Sequence, residues 1–197
     1  ILIFLYVQNE LSYDKYNEKS NRIFRLTSVC FQPKKKDHFA PSSPIMSQKL
    51  CANFPEIDNY VRIIPSKRSI SYNNRKFYEN KIIYTDSTVF DVFTFPMVEG
   101  NPKKALTVPY SVVLTETAAK KYFGTENAMG KTMKFSDSIN VMVTGIIKDI
   151  PATSHLKFDC ALSRSTMVDL NKSNKNWMEQ SELNLFNCDT YTYFLLA

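Results

Sequence analysis

Apolar and polar positions change their period several times along the chain, and each change marks an expected element. The first seven residues, Ile1-Leu2-Ile3-Phe4-Leu5-Tyr6-Val7, are all apolar or aromatic, and the run stops at Gln8-Asn9-Glu10. Leu11, Tyr13 and Tyr16 are interspersed in the polar stretch that follows, so one helix is expected to continue to Lys19-Ser20-Asn21. From 23 to 31, Phe24, Leu26 and Cys30 share one face at period two, as a half-buried strand requires. Ser43-Pro44 opens a helix with proline at its first position, Met46, Leu50 and Phe54 recur every four residues as one apolar stripe, and Pro55 stops it. A strand at 60–64 completes a strand–helix–strand unit.

The texture changes at Lys67. Short apolar segments at 69–72, 76–78 and 82–84 alternate with turns, and Asn73-Asn74 suits a two-residue turn between the first two. Asp86 is a candidate N-cap for a short helix carrying Val89, Phe90 and Phe93. Pro96 ends that helix, and Glu99-Gly100-Asn101-Pro102 reads as a turn. A strand at 111–114 leads to Thr115, the cap of a helix through Phe123, and Gly124 supplies the residue free to turn left-handed after it. Strands follow at 131–135 and 141–148. The second is apolar on both faces, which places it in the interior of a sheet. After Asp149-Ile150-Pro151 come a strand at 155–162, a helix at 164–177 and a last strand at 189–196.

The expected fold is therefore α+β. A strand–helix–strand subdomain comes from the flanks, 21–66 with 151–197, and a β-rich subdomain, 67–150, is inserted in it. A stalk, 1–20, precedes both.

The chain has 197 residues, 44% hydrophobic and 22% charged, with 14 Phe and 11 Tyr, enough apolar surface for a core and too much for a disordered chain. Its 4 glycines exclude collagen-like and Gly-rich linker readings. The net charge of +6 favours anionic partners in principle. The basic residues are scattered, however, and the only tight run is Lys34-Lys35-Lys36 beside Pro33 and Asp37, which reads as a solvated hairpin tip. A nucleic-acid surface needs a clustered basic stripe, so no nucleic-acid partner is expected.

Cys30, Cys51, Cys160 and Cys188 form no CxxC pair, which argues against a zinc site. Their disulfide state is left open by spacing, and Cys30 and Cys51, set among apolar residues, read as small buried hydrophobes. Gly124-Thr125-Glu126-Asn127-Ala128-Met129-Gly130-Lys131-Thr132 imitates a phosphate loop. It has one residue too many between its glycines, and it leaves a helix for a strand instead of entering a helix. His38 reads as an exposed loop residue, and His155, after Thr153-Ser154, as a hydrogen-bonding turn residue. No G-x-S-x-G elbow or H-E-x-x-H helix accompanies them. The acidic pairs Asp86/Asp91 and Glu56/Asp58 read as caps and solvated faces. Asn171-Lys172-Ser173 matches a glycosylation sequon, a frequent chance match. No catalytic, cofactor or metal residue is expected.

Seven helical residues span about 10 Å, short of the ~30 Å hydrocarbon core of a membrane. Residues 1–7 suit either a core element of a soluble domain or the outer end of a membrane helix, with Tyr6 at the water boundary. The last residues, Tyr191-Thr192-Tyr193-Phe194-Leu195-Leu196-Ala197, also end within an apolar segment, and a fragment of a longer membrane protein accounts for both ends.

The ordered string of segments is more specific than any single motif. It comprises Asn9-Glu10-Leu11-Ser12-Tyr13-Asp14-Lys15-Tyr16, Arg22-Ile23-Phe24-Arg25-Leu26, Ala40-Pro41 and Asn53-Phe54-Pro55-Glu56-Ile57. Further along come Asp86-Ser87-Thr88-Val89-Phe90-Asp91-Val92-Phe93, Ser111-Val112-Val113-Leu114-Thr115-Glu116 and Ala119-Lys120-Lys121-Tyr122-Phe123-Gly124. The string ends with Gly130-Lys131-Thr132, Val143-Thr144-Gly145-Ile146-Ile147-Lys148-Asp149-Ile150-Pro151 and Ser154-His155. In this order they resemble the MacB-like periplasmic core domain of FtsX-like ABC transporter permeases, of the Bacteroidetes type. Residues 171–187 fit no part of that pattern.

The resemblance implies a porter-like α/β part with an inserted β-rich part. It implies a place between two membrane helices, facing the periplasm from the inner membrane, with residues 1–7 as the outer turns of the first helix. It implies a cognate ABC ATPase subunit, a second permease copy and a periplasmic or outer-membrane partner. No ATP site belongs to the domain itself. The expected role is mechanotransmission, in which the stalk carries motion from cytoplasmic ATP hydrolysis to a substrate. The alternative is a passive ligand- or partner-binding module that uses the aromatic segment 84–95.

Overall fold

The computed structural model describes residues 2–32 and 35–197 of the chain. Eleven strands and six α-helices are defined among them. The first helix, α1, covers Leu2–Ser12. Strand β1 (Ile23–Arg25) precedes a hairpin of β2 (Ser28–Gln32) and β3 (Lys35–Phe39). Helix α2 (Pro44–Asn53) leads into the long β4 (Ile57–Tyr72) and β5 (Arg75–Thr85). Then come α3 (Val89–Val92), β6 (Met97–Gly100), β7 (Ser111–Thr115), α4 (Glu116–Phe123), β8 (Thr132–Phe135) and β9 (Ile139–Ile147). The chain finishes with β10 (Cys160–Ser163), α5 (Arg164–Asn171), α6 (Lys175–Trp177) and β11 (Tyr191–Leu196).

One mixed sheet runs β1-β11-β4-β5-β10-β7-β9-β6, with helices on it, as the α+β expectation required. Strand β8 pairs with both β4 and β9. The ladders β4–β5–β10–β7–β9–β8 therefore close into a ring, which removes free edges on that side of the molecule. The ring takes in β10, a strand outside 67–150, and β4 runs through the 66/67 boundary with a register shift between Ser66 and Arg68. Asn73, at φ 51°, makes the two-residue turn that sets the β4–β5 register.

Alternate residues of the central strands feed two cores, as the two-residue period of a strand demands. Ile82, Tyr84, Val112, Leu114, Cys160 and Leu162 point to one side, where Tyr122 and Phe123 of α4, Met133, Phe135, Val141 and Val143 join them. Ile83, Val113 and Ala161 point to the other, with Val61, Ile63, Val89, Phe93, Phe95, Phe158 and Tyr193. Both faces of the centre are thus covered, which is why β7 (Ser-Val-Val-Leu-Thr) is buried along its whole length. Helix α4 begins as its sequence predicts. Thr115 Oγ1 accepts from the Ala118 amide at 3.2 Å, and Gly124 closes the helix at φ 68°.

Several expectations need correction. The opening helix ends at Ser12, not near Ser20, because Asp14 sits at φ 58° and turns the chain aside. The strand expected over 23–31 is two strands with different partners. β1 pairs with β11, β2 pairs with β3, and Phe24 and Cys30 are exposed. Residues 99–100 close a strand, β6, instead of opening a turn. Gly100, at φ 103°, lies so close to β9 that a Cβ would meet the Thr144 carbonyl oxygen at 2.7 Å. The strand expected from 155 starts only at Cys160, and the helix expected over 164–177 breaks after Asn171. Strands β10 and β11 are not neighbours, since β4 and β5 stand between them. Proline 33 and Lys34 of the basic run lie outside the described residues; Lys35 and Lys36 are exposed on β3.

Candidate functional site

The part of the molecule least explained by core packing is the junction where α1 meets the body. Along α1, Ile3 is 80% exposed, Phe4 65%, Tyr6 66% and Leu11 62%, so the described apolar side chains of this helix are left mostly uncovered. No helix among the described residues is long and apolar enough to cross a membrane.

Past Ser12 the chain is tied to the sheet by polar bonds. The Asp14 amide donates to the Thr153 carbonyl at 2.9 Å. Its carboxylate accepts from the His155 amide at 3.0 Å and from His155 Nδ1 at 2.7 Å. A carboxylate only accepts, so Nδ1 carries the proton, and in the neutral ring Nε2 accepts from the Tyr193 hydroxyl at 2.8 Å. Tyr193 lies on β11, between β1 and β4, and burial pushes its phenol up to about 12. The line Asp14–His155–Tyr193 thus runs from the stem, through a loop, into an interior strand.

A second tie runs parallel to it. Asn17 is buried; its Nδ2 donates to the Asp14 carbonyl at 3.2 Å and its Oδ1 accepts from the Thr94 amide at 3.0 Å. The Glu18 amide donates to Thr94 Oγ1 at 3.0 Å, and Lys19 Nζ donates to the Asp91 carbonyl at 2.6 Å. Tyr16 and Ser154 exchange a hydrogen bond at 2.8 Å, and burial raises the Tyr16 phenol above its ordinary range. Behind the ties stands a chain of rings. Tyr193 meets Phe93 edge-on at 5.1 Å, Phe93 lies 5.8 Å from Phe95, and Phe95 meets Phe158 edge-on at 5.3 Å. Between stem and sheet a cleft of about 440 Å³ is lined by Asp14, Asn17, Arg25, Phe93, His155 and Tyr193, among others.

Of the residues singled out from sequence, His155 and Phe93 line this junction and Asp91 gives it a backbone carbonyl. His38 is exposed on β3. Asp86 does not cap α3, whose N-cap is Thr88. Arg62 instead donates to Asp86 from Nε and a terminal nitrogen, both at 2.8 Å, and from its amide at 2.9 Å. Asp91 and Glu56 contribute their carbonyls to the Lys19 and Ala197 bonds, and Asp58 pairs with Arg22 at 3.5 Å. Three of the rings in segment 84–95, Tyr84, Phe93 and Phe95, are buried because β5 and α3 turn them into the two cores, and Phe90 is half-buried against one of them.

All four cysteines are free thiols. Cys30 is exposed and Cys51 half-buried, contrary to the reading of both as buried. The fully buried one is Cys160, whose thiol is pushed up to about 12 by burial. No group of three metal-ligating side chains comes together among the described residues. The false phosphate loop leaves α4 and enters β8, as its context predicted. Sequence reasoning missed Asn17 and Tyr193, and Asp14 entered only within a motif string. A polar residue following an amphipathic start carries no mark that it will be buried.

The body and its junction define an α+β domain carried on an apolar stem. The sequence profile of the MacB-like periplasmic core domain matches residues 1–187, so the chain belongs to that family, from the periplasmic side of ABC transporter permeases. Among solved structures, a domain assigned to a permease protein from Porphyromonas gingivalis is similar with TM-score 0.73 at 16% identity, over 92% of this chain and 75% of that one. The periplasmic region of MacB from Actinobacillus actinomycetemcomitans gives 0.63 at 15% identity, over 97% and 79%. The extracellular domain of the noncanonic ABC-type transporter YknZ from Gram-positive bacteria gives 0.53 at 14% identity, over 79% and 73%. These identities speak to the fold alone. No curated protein matches the chain by sequence.

Proposed function

We propose that this domain passes motion from a membrane-embedded, ATP-driven permease to a substrate or partner in the periplasm, and does so without chemistry of its own. In this reading α1 is the outer end of a membrane helix. Its cognate ABC ATPase works on the far side of the inner membrane, and a second permease copy completes the transporter. The observation that carries the reading is the contrast along the stem. A helix whose described apolar side chains are exposed is followed within two residues by Asp14, fixed to an interior strand through His155 and Tyr193. A helix keeps its backbone hydrogen bonds internal, so it stays stiff across a lipid boundary and pulls on whatever anchors its end. The anchor is a set of directional bonds to the sheet, so a tilt of the stem is handed to the body as a whole.

Two changes in the full-length permease, paired with its ATPase, test this. A Gly-Gly insertion after Asn9 softens the helix, and Asp14→Ala releases its end. Each is expected to leave ATP hydrolysis running while transport falls. Transport that continues undiminished through both changes overturns the proposal in favour of a passive binding module.

A further inference from the structure

A second cleft lies apart from the junction, at the carboxyl ends of the parallel strands β5 and β10, where Thr85 pairs with Ser163. The cleft measures about 270 Å³ and is lined by Thr85, Asp86, Thr107, Ser163, Arg164 and Ser165, among others. Helix α5 starts here, and its N-cap residue, Ser163, leaves the first-turn amides uncapped. Its hydroxyl is bonded to that of Ser165 instead.

Two polar groups in the same cleft are buried without a partner. Thr85 is 0% exposed, and its Oγ1 has no hydrogen bond. Arg164 is 6% exposed; one terminal nitrogen is paired with Glu182, yet Nε has no acceptor. Leaving such groups unmade is costly, and both residues line this one cavity, so it suits a guest that accepts hydrogen bonds. The charged side chains nearby cancel in pairs, Arg62 with Asp86 and Arg164 with Glu182. The sign of the cleft is then set by the positive end of α5.

We propose that this cleft is a binding site for a small oxyanion such as phosphate or a phosphate monoester, held by Thr85 Oγ1, Arg164 Nε, the Ser165 hydroxyl and the first amides of α5. The site is independent of the stem and of any coupling role.

Titration calorimetry of the chain tests it, with sodium phosphate and sodium acetate as separate probes and chloride holding the ionic strength constant. Saturable phosphate binding is expected. Thr85→Val and Ser165→Ala are each expected to weaken it roughly tenfold or more, the size of one lost hydrogen bond to a charged group. Acetate that saturates with the same dependence on Thr85 upholds the site and assigns it to carboxylates. Because the Thr85 hydroxyl has no partner in the empty protein, Thr85→Val is expected to hold or raise the melting temperature without ligand. Failure of both anions to saturate, equal binding by wild type and both variants, or a clearly lower melting temperature for unliganded Thr85→Val overturns the proposal. Arg164 is left in place, since its removal strands the buried Glu182.

Discussion

The sheet body and the stem junction are held by different kinds of force. In the body, Tyr122, Phe123, Phe135, Ile63 and Leu114 are each less than 2% exposed or close to it, and their contribution grows with the apolar area withdrawn from water. In the junction, Asp14 and His155 each keep 33% of their side chain exposed, and the joint is made of hydrogen bonds with fixed partners. Burial is non-directional and resists separation of the two cores. A hydrogen bond is directional, worth about 1 kcal/mol net, and is lost when a partner turns. The body is thus suited to move as a unit, and the junction to decide whether the stem moves with it.

The largest effect that sharpens this contrast is expected from Phe135→Ala. Phe135 is 0% exposed and sits where β8 pairs with both Ile70 of β4 and Ile139 of β9, the closing step of the ring. Its truncation is expected to cost about 3–5 kcal/mol, the usual range for a large aromatic removed from a packed core. In a chain of this size that lowers the melting temperature by roughly 10 °C. Denaturant unfolding followed by both fluorescence and circular dichroism checks it. A loss below about 1 kcal/mol would mean that the ring does not hold the body together.

A smaller and more local effect is expected from Asp14→Ala. It removes the acceptor of both His155 bonds, which are partly exposed, so about 1–2 kcal/mol is at stake. Hydrogen exchange is expected to quicken in residues 13–19 and 153–155 while the amides of β7 and β10 keep their protection. Global loosening equal to that of Phe135→Ala would break the comparison, because the junction would then belong to the core.

The body was largely legible in the sequence, for physical reasons that are local. Thr115 and Gly124 sit at the two ends of α4, Asn73-Asn74 lies between two strand patterns, and 111–114 is apolar without alternation. Each of these needs only its neighbours in sequence to act. The junction was not legible, because its bonds from the stem to the sheet and loop span 72 to 141 positions of sequence. Asn17 gives no sign that it will meet Thr94, nor Asp14 that it will meet His155. The helix overrun past Ser12 has the same origin. Tyr13 and Tyr16 fit a helical continuation, and only the tertiary hold on Asp14 overrides it. The separation of β10 from β11 was equally hidden, since strand order is decided by which buried faces match and not by order in the chain. Asp86 was seen as a cap candidate but not as the partner of Arg62, which lies 24 positions away on a neighbouring element.

The smallest expected effect asks whether a polar tie at the edge of the body behaves like those of the junction. Asp149 lies beyond β9 and accepts from the Thr117 amide at 3.0 Å and the Thr117 hydroxyl at 2.6 Å, so it caps the first turn of α4 from outside the helix. These bonds hold its carboxyl below the usual carboxylate range. The folded protein therefore gives up this proton more readily than the unfolded chain, whose aspartate titrates near 3.9. The stability so gained is fully present above that value and is lost as the pH falls through the lower, folded one. Asp149→Asn, which keeps one acceptor and removes the charge, is expected to cost about 0.5–1 kcal/mol at neutral pH, the low end for a helix cap. The gap between wild type and variant, read from urea midpoints, is expected to hold from about pH 7 to pH 5 and to shrink toward zero below about pH 3. A gap that stays constant down to the acid end would mean that the carboxylate charge contributes nothing there. The α4 cap would then rest on Thr115 alone, and directional polar ties would matter only where the stem joins the body.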